Sequence, residues 1–251
     1  MLNIRDLCVK VKDSDKNILN NFSLDIGDGE THVIMGPNGT GKSTLAKSLM
    51  GHYNYEIVSG DVLFNDKSII DLNVSDRAKL GLFICMQDPT VIDGVSNSEF
   101  LRTALGEVTG EHVNLFNFIK DLEKNLDDVK LDNSMLHRSL NSGFSGGEKK
   151  KNEILQLKIL KPKFIILDEL DSGLDVDSLR VVCENINNYI KENKDVSLLV
   201  ITHYPRILEY IKPDYVHIMK DGIIKMTGDI NLAKKLEKYG YSIISENDNN
   251  E

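Results

Sequence analysis

Gly36-Pro37-Asn38-Gly39-Thr40-Gly41-Lys42-Ser43 is the stretch of this chain whose residue types and spacing speak most directly of chemistry. It follows the pattern G-x-x-x-x-G-K-[ST], between an apolar run, His32-Val33-Ile34-Met35, and a segment with helical spacing through Leu45, Leu49 and Met50. Glycines let successive backbone N–H groups turn inward around a polyphosphate, where side chains would clash. A helix beginning at Lys42 adds unpaired N–H groups and the positive end of its dipole. Lys42 would bring a full charge to the outer phosphates, and the Ser43 hydroxyl would hold Mg²⁺, a hard ion that prefers oxygen. The nucleotide-binding set is expected to run from Gly36 through Thr44.

A second group of candidates stands at strand ends. Phe164-Ile165-Ile166-Leu167 is apolar and closes on Asp168-Glu169. Strand alternation puts the two carboxylates on opposite sides, which predicts separate tasks. Asp168 is expected to support Mg²⁺, and Glu169 to orient and polarise an attacking water. Gln87 follows the strand-like Leu82 to Cys85, in reach of both metal and water. His203 follows the run ending at Ile201, where its imidazole could meet a γ-phosphate. Glu169 and His203 are thus the catalytic candidates, and Ser43, Gln87 and Asp168 the metal candidates.

Phe144-Ser145-Gly146-Gly147-Glu148 precedes a helical stretch, Lys149 to Leu160. Ser145, Gly146 and Gly147 before a helix form another anion-binding terminus. One subunit could hardly wrap that segment round its own phosphate loop. A head-to-tail pair, each signature capping the nucleotide of the other copy, is the expected solution.

In the order phosphate loop, Gln87, Ser145-Gly146-Gly147, Asp168-Glu169, Ser172-Gly173-Leu174-Asp175 and His203, the chain resembles the ABC-type ATPases over nearly its whole length. The stretches Pro89 to Ser96, Gly143 to Leu155 and Thr202 to Val216 are similar to the branch serving the SUF iron–sulfur cluster assembly machine. The resemblance implies hydrolysis of ATP with Mg²⁺, an ATP-dependent homodimer, and a soluble complex with SufB- and SufD-like scaffold proteins. The ATPase of a membrane importer is the alternative, since it shares the nucleotide chemistry. A DNA-repair or chromosome-structuring head is disfavoured, because sustained heptads are absent.

Departures from the family pattern are few. Phe144 replaces the usual Leu, Glu148 the usual Gln, and Lys151 the usual Arg, which keeps the charge but loses the planar fork. Residues 10–21 hold no aromatic residue to stack on adenine, so base recognition is expected to be weak, or aliphatic through Ile18. Lys149 to Lys151 read either as a solvated charged face or as the source of one lysine, with Lys150 the candidate, that pairs with Glu169 in the resting monomer and keeps that carboxylate off water. Residues 88–100 are the expected docking surface.

These residues need a scaffold. Residues 2–11 and Phe22, Leu24 and Ile26 alternate as strands, and strand signals recur at Val62-Leu63-Phe64 and Leu82 to Cys85. From 88 to 162 helical spacing takes over. Apolar strands at Phe164 to Leu167 and Val196 to Ile201 flank a helix over Val176 to Ile190, which predicts a parallel sheet. Lys220-Asp221-Gly222 sits between two apolar runs and predicts a hairpin. The polar tail, Glu246 to Glu251, is expected to fray. The expected architecture is α/β: a mostly parallel P-loop ATPase sheet with an antiparallel N-terminal part and an inserted helical subdomain. Residues 1–87 and 163–251 would form the nucleotide-binding core, and 88–162 the helical signature subdomain.

Composition bounds this reading. The 251 residues, 41% hydrophobic and 27% charged, suit one large domain or two small ones. A net charge of −9 opposes non-specific binding to nucleic acid. No apolar run is long enough to insert in a membrane. Three widely spaced cysteines, Cys8, Cys85 and Cys183, suit reduced thiols in a cytoplasm.

Overall fold

The computed structural model describes residues 1–243, so the expected fraying of Glu246 to Glu251 lies outside the described residues. Strands β1 (Leu2–Val11) and β2 (Asn17–Ile26) precede β3 (Thr31–Met35), which leads through the glycine-rich loop into helix α1 (Lys42–Leu49). Next come β4 (Tyr55–Phe64), β5 (Lys67–Ser68), α2 (Val74–Leu80) and β6 (Leu82–Cys85). The middle of the chain holds β7 (Ile92–Ser96), α3 (Asn97–Thr109), α4 (Leu115–Val129), β8 (Ser139–Leu140) and α5 (Gly146–Leu160). Then follow β9 (Phe164–Asp168), α6 (Val176–Glu192), β10 (Ser197–Ile201), β11 (Tyr215–Lys220), β12 (Ile223–Gly228) and α7 (Ile230–Tyr239).

The main sheet has the order β12-β11-β3-β10-β9-β6, parallel throughout except for the β11–β12 hairpin. Its central strands β3, β9 and β10 are buried at every position because both faces are covered. Val33, Ile165, Leu167, Leu198 and Val200 pack on one face, while Ile34, Phe164, Ile166, Leu199 and Ile201 pack on the other. The antiparallel sheet, β2-β1-β4-β5, closes over the second of these faces. Among the described residues, no helix is long and apolar enough to cross a membrane.

Three elements differ from the sequence expectation. Strand β4 begins at Tyr55, well before Val62, because its first half is held by backbone pairing to β1 and leaves most side chains in solvent. Gly60 lies there at φ 88, and a Cβ would come within 2.4 Å of the Asp6 carbonyl oxygen, so its turn-like composition marks a close crossing within a strand. Helix α2 is too short to leave a periodic signature; Asn73 caps it, and its buried Arg77 donates to the Ser48 and Leu49 carbonyls at the end of α1. The middle region is not wholly helical. Strands β7 and β8 pair antiparallel across more than forty residues, a separation that no local pattern reveals.

A hydrogen-bond chain through two buried histidines joins β3 to β11 and β12. Glu30 Oε2 accepts from His32 Nε2 at 3.0 Å, and His32 Nδ1 therefore accepts from His217 Nε2 at 3.0 Å. His217 Nδ1 is left to accept from the Thr227 hydroxyl at 2.9 Å, so the chain is satisfied with His217 neutral. Burial, with His32 beside it, pushes His217 down to about 4. The folded value lies below that of the unfolded chain, about 6.5, so the unfolded chain takes up the proton first. Stability is lost as the pH falls from about 6.5 and levels off below about 4. His217→Gln is expected to remove about 2–3 kcal/mol of the loss between pH 7 and pH 4, measured by urea unfolding. An unchanged acid limb would contradict the assignment.

Candidate active site

The carboxyl ends of β3, β10, β9 and β6 open on the same side of the sheet, because the four strands run parallel with Ile34, Ile201, Asp168 and neighbouring Leu167 in register. Ligands of open α/β sheets bind at such ends. Each of these strands delivers one part of the site.

After β3, the loop at residues 36–41 turns sharply into α1. Gly36 admits no side chain, since a Cβ would lie 2.3 Å from the Met219 carbonyl oxygen. Gly41 caps α1 at φ 103, a left-handed conformation that favours glycine. The first turn of α1 has no acidic residue and its N-cap makes no side-chain bond, so its N–H groups stay free to meet an anion. Lys42 is 4% exposed, and its Nζ donates to the Gly36 and Pro37 carbonyls at 2.8 and 2.9 Å. Burial lowers its pKa, while Glu169 and Asp168 oppose the shift. The Thr40 hydroxyl donates to the Pro37 carbonyl at 3.0 Å and closes the loop. Asn38 and Gly39 form its tip, and Thr44 is buried on α1.

At the end of β9, Asp168 is fully buried. Its Oδ1 accepts from the Ser43 hydroxyl at 3.0 Å, and its Oδ2 has no partner. Burial raises its carboxyl above the usual range. A buried carboxylate oxygen without a donor, beside a hydroxyl, suits a hard cation. Glu169 lies beyond the strand at φ 48, so strand alternation does not govern it; this left-handed turn directs its side chain elsewhere. Its N–H is fixed to the Ile201 carbonyl at 2.9 Å.

Both Glu169 oxygens are occupied. Oε2 accepts from Gln87 Nε2 at 2.8 Å, and His203 Nδ1 lies 3.1 Å from Oε1. The carboxylate can only accept, which assigns Nδ1 of His203 as the donor. Lys150 is not among these partners, contrary to the sequence expectation. Its Nζ donates to the Met86 carbonyl and pairs with Glu153 at 3.3 Å. The lysine sits on the inner face of α5, where Glu153 lies one turn away, and so Glu169 is restrained by an amide and an imidazole.

Sequence reasoning passed over Thr202 and Asp171. The Thr202 hydroxyl lies 3.2 Å from Asp171 Oδ1, which ties the turn after Glu169 to the residue preceding His203. A Thr beside a candidate histidine was the available signal. Ser145, Gly146 and Gly147 stand apart from this cluster. Ser145 and Glu148 form a reciprocal capping box at the start of α5. Among the described residues, the side-chain hydrogen bonds of Ser145 and Glu148 stay within the capping box and reach no residue of the phosphate loop.

A cavity of about 350 Å³ adjoins Gly39 and Thr40 and is lined by Val11, Ile18, Asn20 and Gly222. Ile18 thus lies on the wall of a cavity beside the phosphate loop, with Lys16 and Asp221 also lining it.

A phosphate cradle opening a helix, with a Ser–Asp pair and a restrained glutamate at the carboxyl ends of a parallel sheet, is the constellation of a P-loop nucleoside triphosphatase. Residues 19–172 match the family model described as ABC transporter. The chain is 46% identical over 247 residues to Vegetative protein 296 of Bacillus subtilis, covering 98% of this chain and 93% of that protein. It is 48% identical over 250 residues to Probable ATP-dependent transporter SufC of Escherichia coli, covering 98% and 99%. A post-hydrolysis dimer of the ATP-binding cassette MJ0796, bound to ADP and Pi, has the same fold, with TM-score 0.79 and 20% identity over 92% of this chain and 99% of that one. The chain belongs to the ABC transporter family of ATPases. As such it binds ATP and hydrolyses it to ADP and phosphate.

Proposed function

We propose that this ATPase drives conformational change in a SUF-type complex for iron–sulfur cluster assembly, in the cytoplasm, with SufB- and SufD-like scaffold proteins as partners. The motif stretches Gly143 to Leu155 and Thr202 to Val216 support that branch, as does full-length similarity to the protein named SufC.

The restrained Glu169 carries the mechanism. The Gly36 to Gly41 backbone, the start of α1 and Lys42 bind the triphosphate, and Ile18 faces the base. Ser43, Asp168 and Gln87 would hold Mg²⁺, which neutralises charge on the outer phosphates. When Gln87 and His203 turn from Glu169 toward the nucleotide, both carboxylate oxygens are released to the attacking water. Glu169 takes the water's proton as its oxygen bonds to the γ-phosphorus, and the bond to the β–γ bridging oxygen breaks. Ser145, Gly146 and Gly147 of a second copy complete the site. Residues 88–162 act as the signature-bearing arm, and 88–100 as the docking segment that transmits closure to the scaffold.

Gly146 offers a clean test of the shared site. A Cβ there meets nothing nearer than the Gly173 carbonyl oxygen at 3.7 Å, so the monomer tolerates a side chain. Gly146→Leu is expected to keep the nucleotide affinity of the monomer and lower turnover by about 10²-fold, through loss of donors at the γ-phosphate. Wild-type turnover would reject the two-copy site. Affinity purification from native lysate, with partners identified and iron measured, tests the SUF assignment. Capture of an integral membrane permease would favour the importer reading.

A further inference from the structure

Helix α5 carries, beyond its signature, a buried charged pair that the nucleotide chemistry does not use. Lys150 and Glu153 are each 3% exposed and lie 3.3 Å apart. Both also bond to the backbone of one residue, Met86. Glu153 Oε1 accepts from the Met86 N–H at 2.7 Å, and Lys150 Nζ donates to the Met86 carbonyl. Met86 directly precedes Gln87, whose amide restrains Glu169 at 2.8 Å.

The loop beyond is tied to the same helix. Asn152 donates to Asn141 at 2.9 Å, Asn141 donates to the Thr90 carbonyl at 2.8 Å, and Asn97 donates to Asn152 at 2.7 Å. Helix α5 therefore grips the chain just before Gln87 and at Asn97, and through Asn141 at Thr90. Burying an ion pair is costly, and burial raises the Glu153 carboxyl to about 7 against the pull of Lys150 and the Met86 N–H. Stability alone is a weak reason to put a charged pair here, since apolar residues of similar volume serve packing as well or better.

We propose that Lys150 and Glu153 are positioning residues that clamp the Met86 peptide, so that a displacement of the signature helix moves Gln87 and changes its hold on Glu169. The inference rests on the role assigned to Gln87. It makes the signature helix and the restrained base one mechanical unit, with the Met86 backbone as the joint.

The full-length double variant Lys150→Met, Glu153→Leu removes both charges and preserves bulk, and is expected to fold. Its kcat for ATP should fall about tenfold or more, the scale of a small misplacement of a catalytic group, while nucleotide Kd and KM stay within about twofold because the phosphate loop is untouched. Glu153→Gln, which keeps an oxygen for the Met86 N–H, should recover a substantial part of the turnover that Glu153→Leu loses. In ¹⁵N-edited NMR spectra without nucleotide, the Gln87 side-chain amide signals, assigned by their absence in Gln87→Ala, should shift in the double variant. An unshifted amide, or an unchanged kcat, overturns the clamp. If the double variant does not fold, Lys150→Met alone supports the same two readings, since Glu153 can then take up a proton. Wild-type turnover by Gln87→Ala would instead overturn the role of Gln87 itself, an outcome the amide signals keep distinct.

Discussion

Glu169→Gln will bind ATP as tightly as the wild type or more so, turn over about 10² to 10⁴ times more slowly, and accumulate as nucleotide-bound dimers. The slowing follows from losing the group proposed to accept the proton of the attacking water. Binding survives because the Glu169 side chain spends its hydrogen bonds on Gln87 and His203. The substitution also removes a negative charge that acts on Lys42, so repulsion of the triphosphate declines. The fold should persist, because an amide at this position can keep both contacts once Gln87 reverses its own amide. Phosphate release measures the first effect, and light scattering with ATP and Mg²⁺ the second. Turnover at the wild-type rate would sink the role given to Glu169. Slow turnover without dimers would leave that role and reject closure by two copies.

Lys42→Ala is expected to weaken ATP binding by about 10²-fold or more. Two of the three ammonium hydrogens are committed to the Gly36 and Pro37 carbonyls, which leaves one for the phosphate and holds the charge inside the loop. A charge-assisted bond of this kind contributes about 1.5–3 kcal/mol. The variant also strips the donor from two loop carbonyls, so the cradle loses its shape as well as its charge. Titration calorimetry with ATP reads the affinity directly. A parallel check is thermal unfolding with nucleotide, since a ligand bound only by the folded state raises the midpoint and an unbound one does not. Affinity within threefold of the wild type would show that the backbone cradle suffices.

The contrast between Glu169 and Glu153 shows which parts of such a site are legible in a sequence. Glu169 stands at the end of an apolar run, beside Asp168, and strand-end acids near a phosphate loop have few other readings. Glu153 stands in a helix among Lys149, Lys150 and Lys151, where a carboxylate reads as solvated surface. Its burial depends on which face of α5 meets the end of β6. The same blindness affected Lys150. Its charge suggested a partner for Glu169, yet the partner it has is the Glu one turn along its own helix.

The candidate residues for binding and cleaving a triphosphate were marked by local order: a glycine loop between a buried strand and a helix, acids at a strand end, and a glutamine and a histidine after neighbouring strands. Such features are written within a few residues of one another, where backbone sterics and strand periodicity act. Tertiary structure alone decided what those residues touch. Glu169 is restrained by groups 82 and 34 positions away, and Met86 is clamped from 64 and 67 positions further along the chain. Contacts of that range arise from packing the sheet ends against α5, and packing is a property of surfaces that no short stretch of sequence contains.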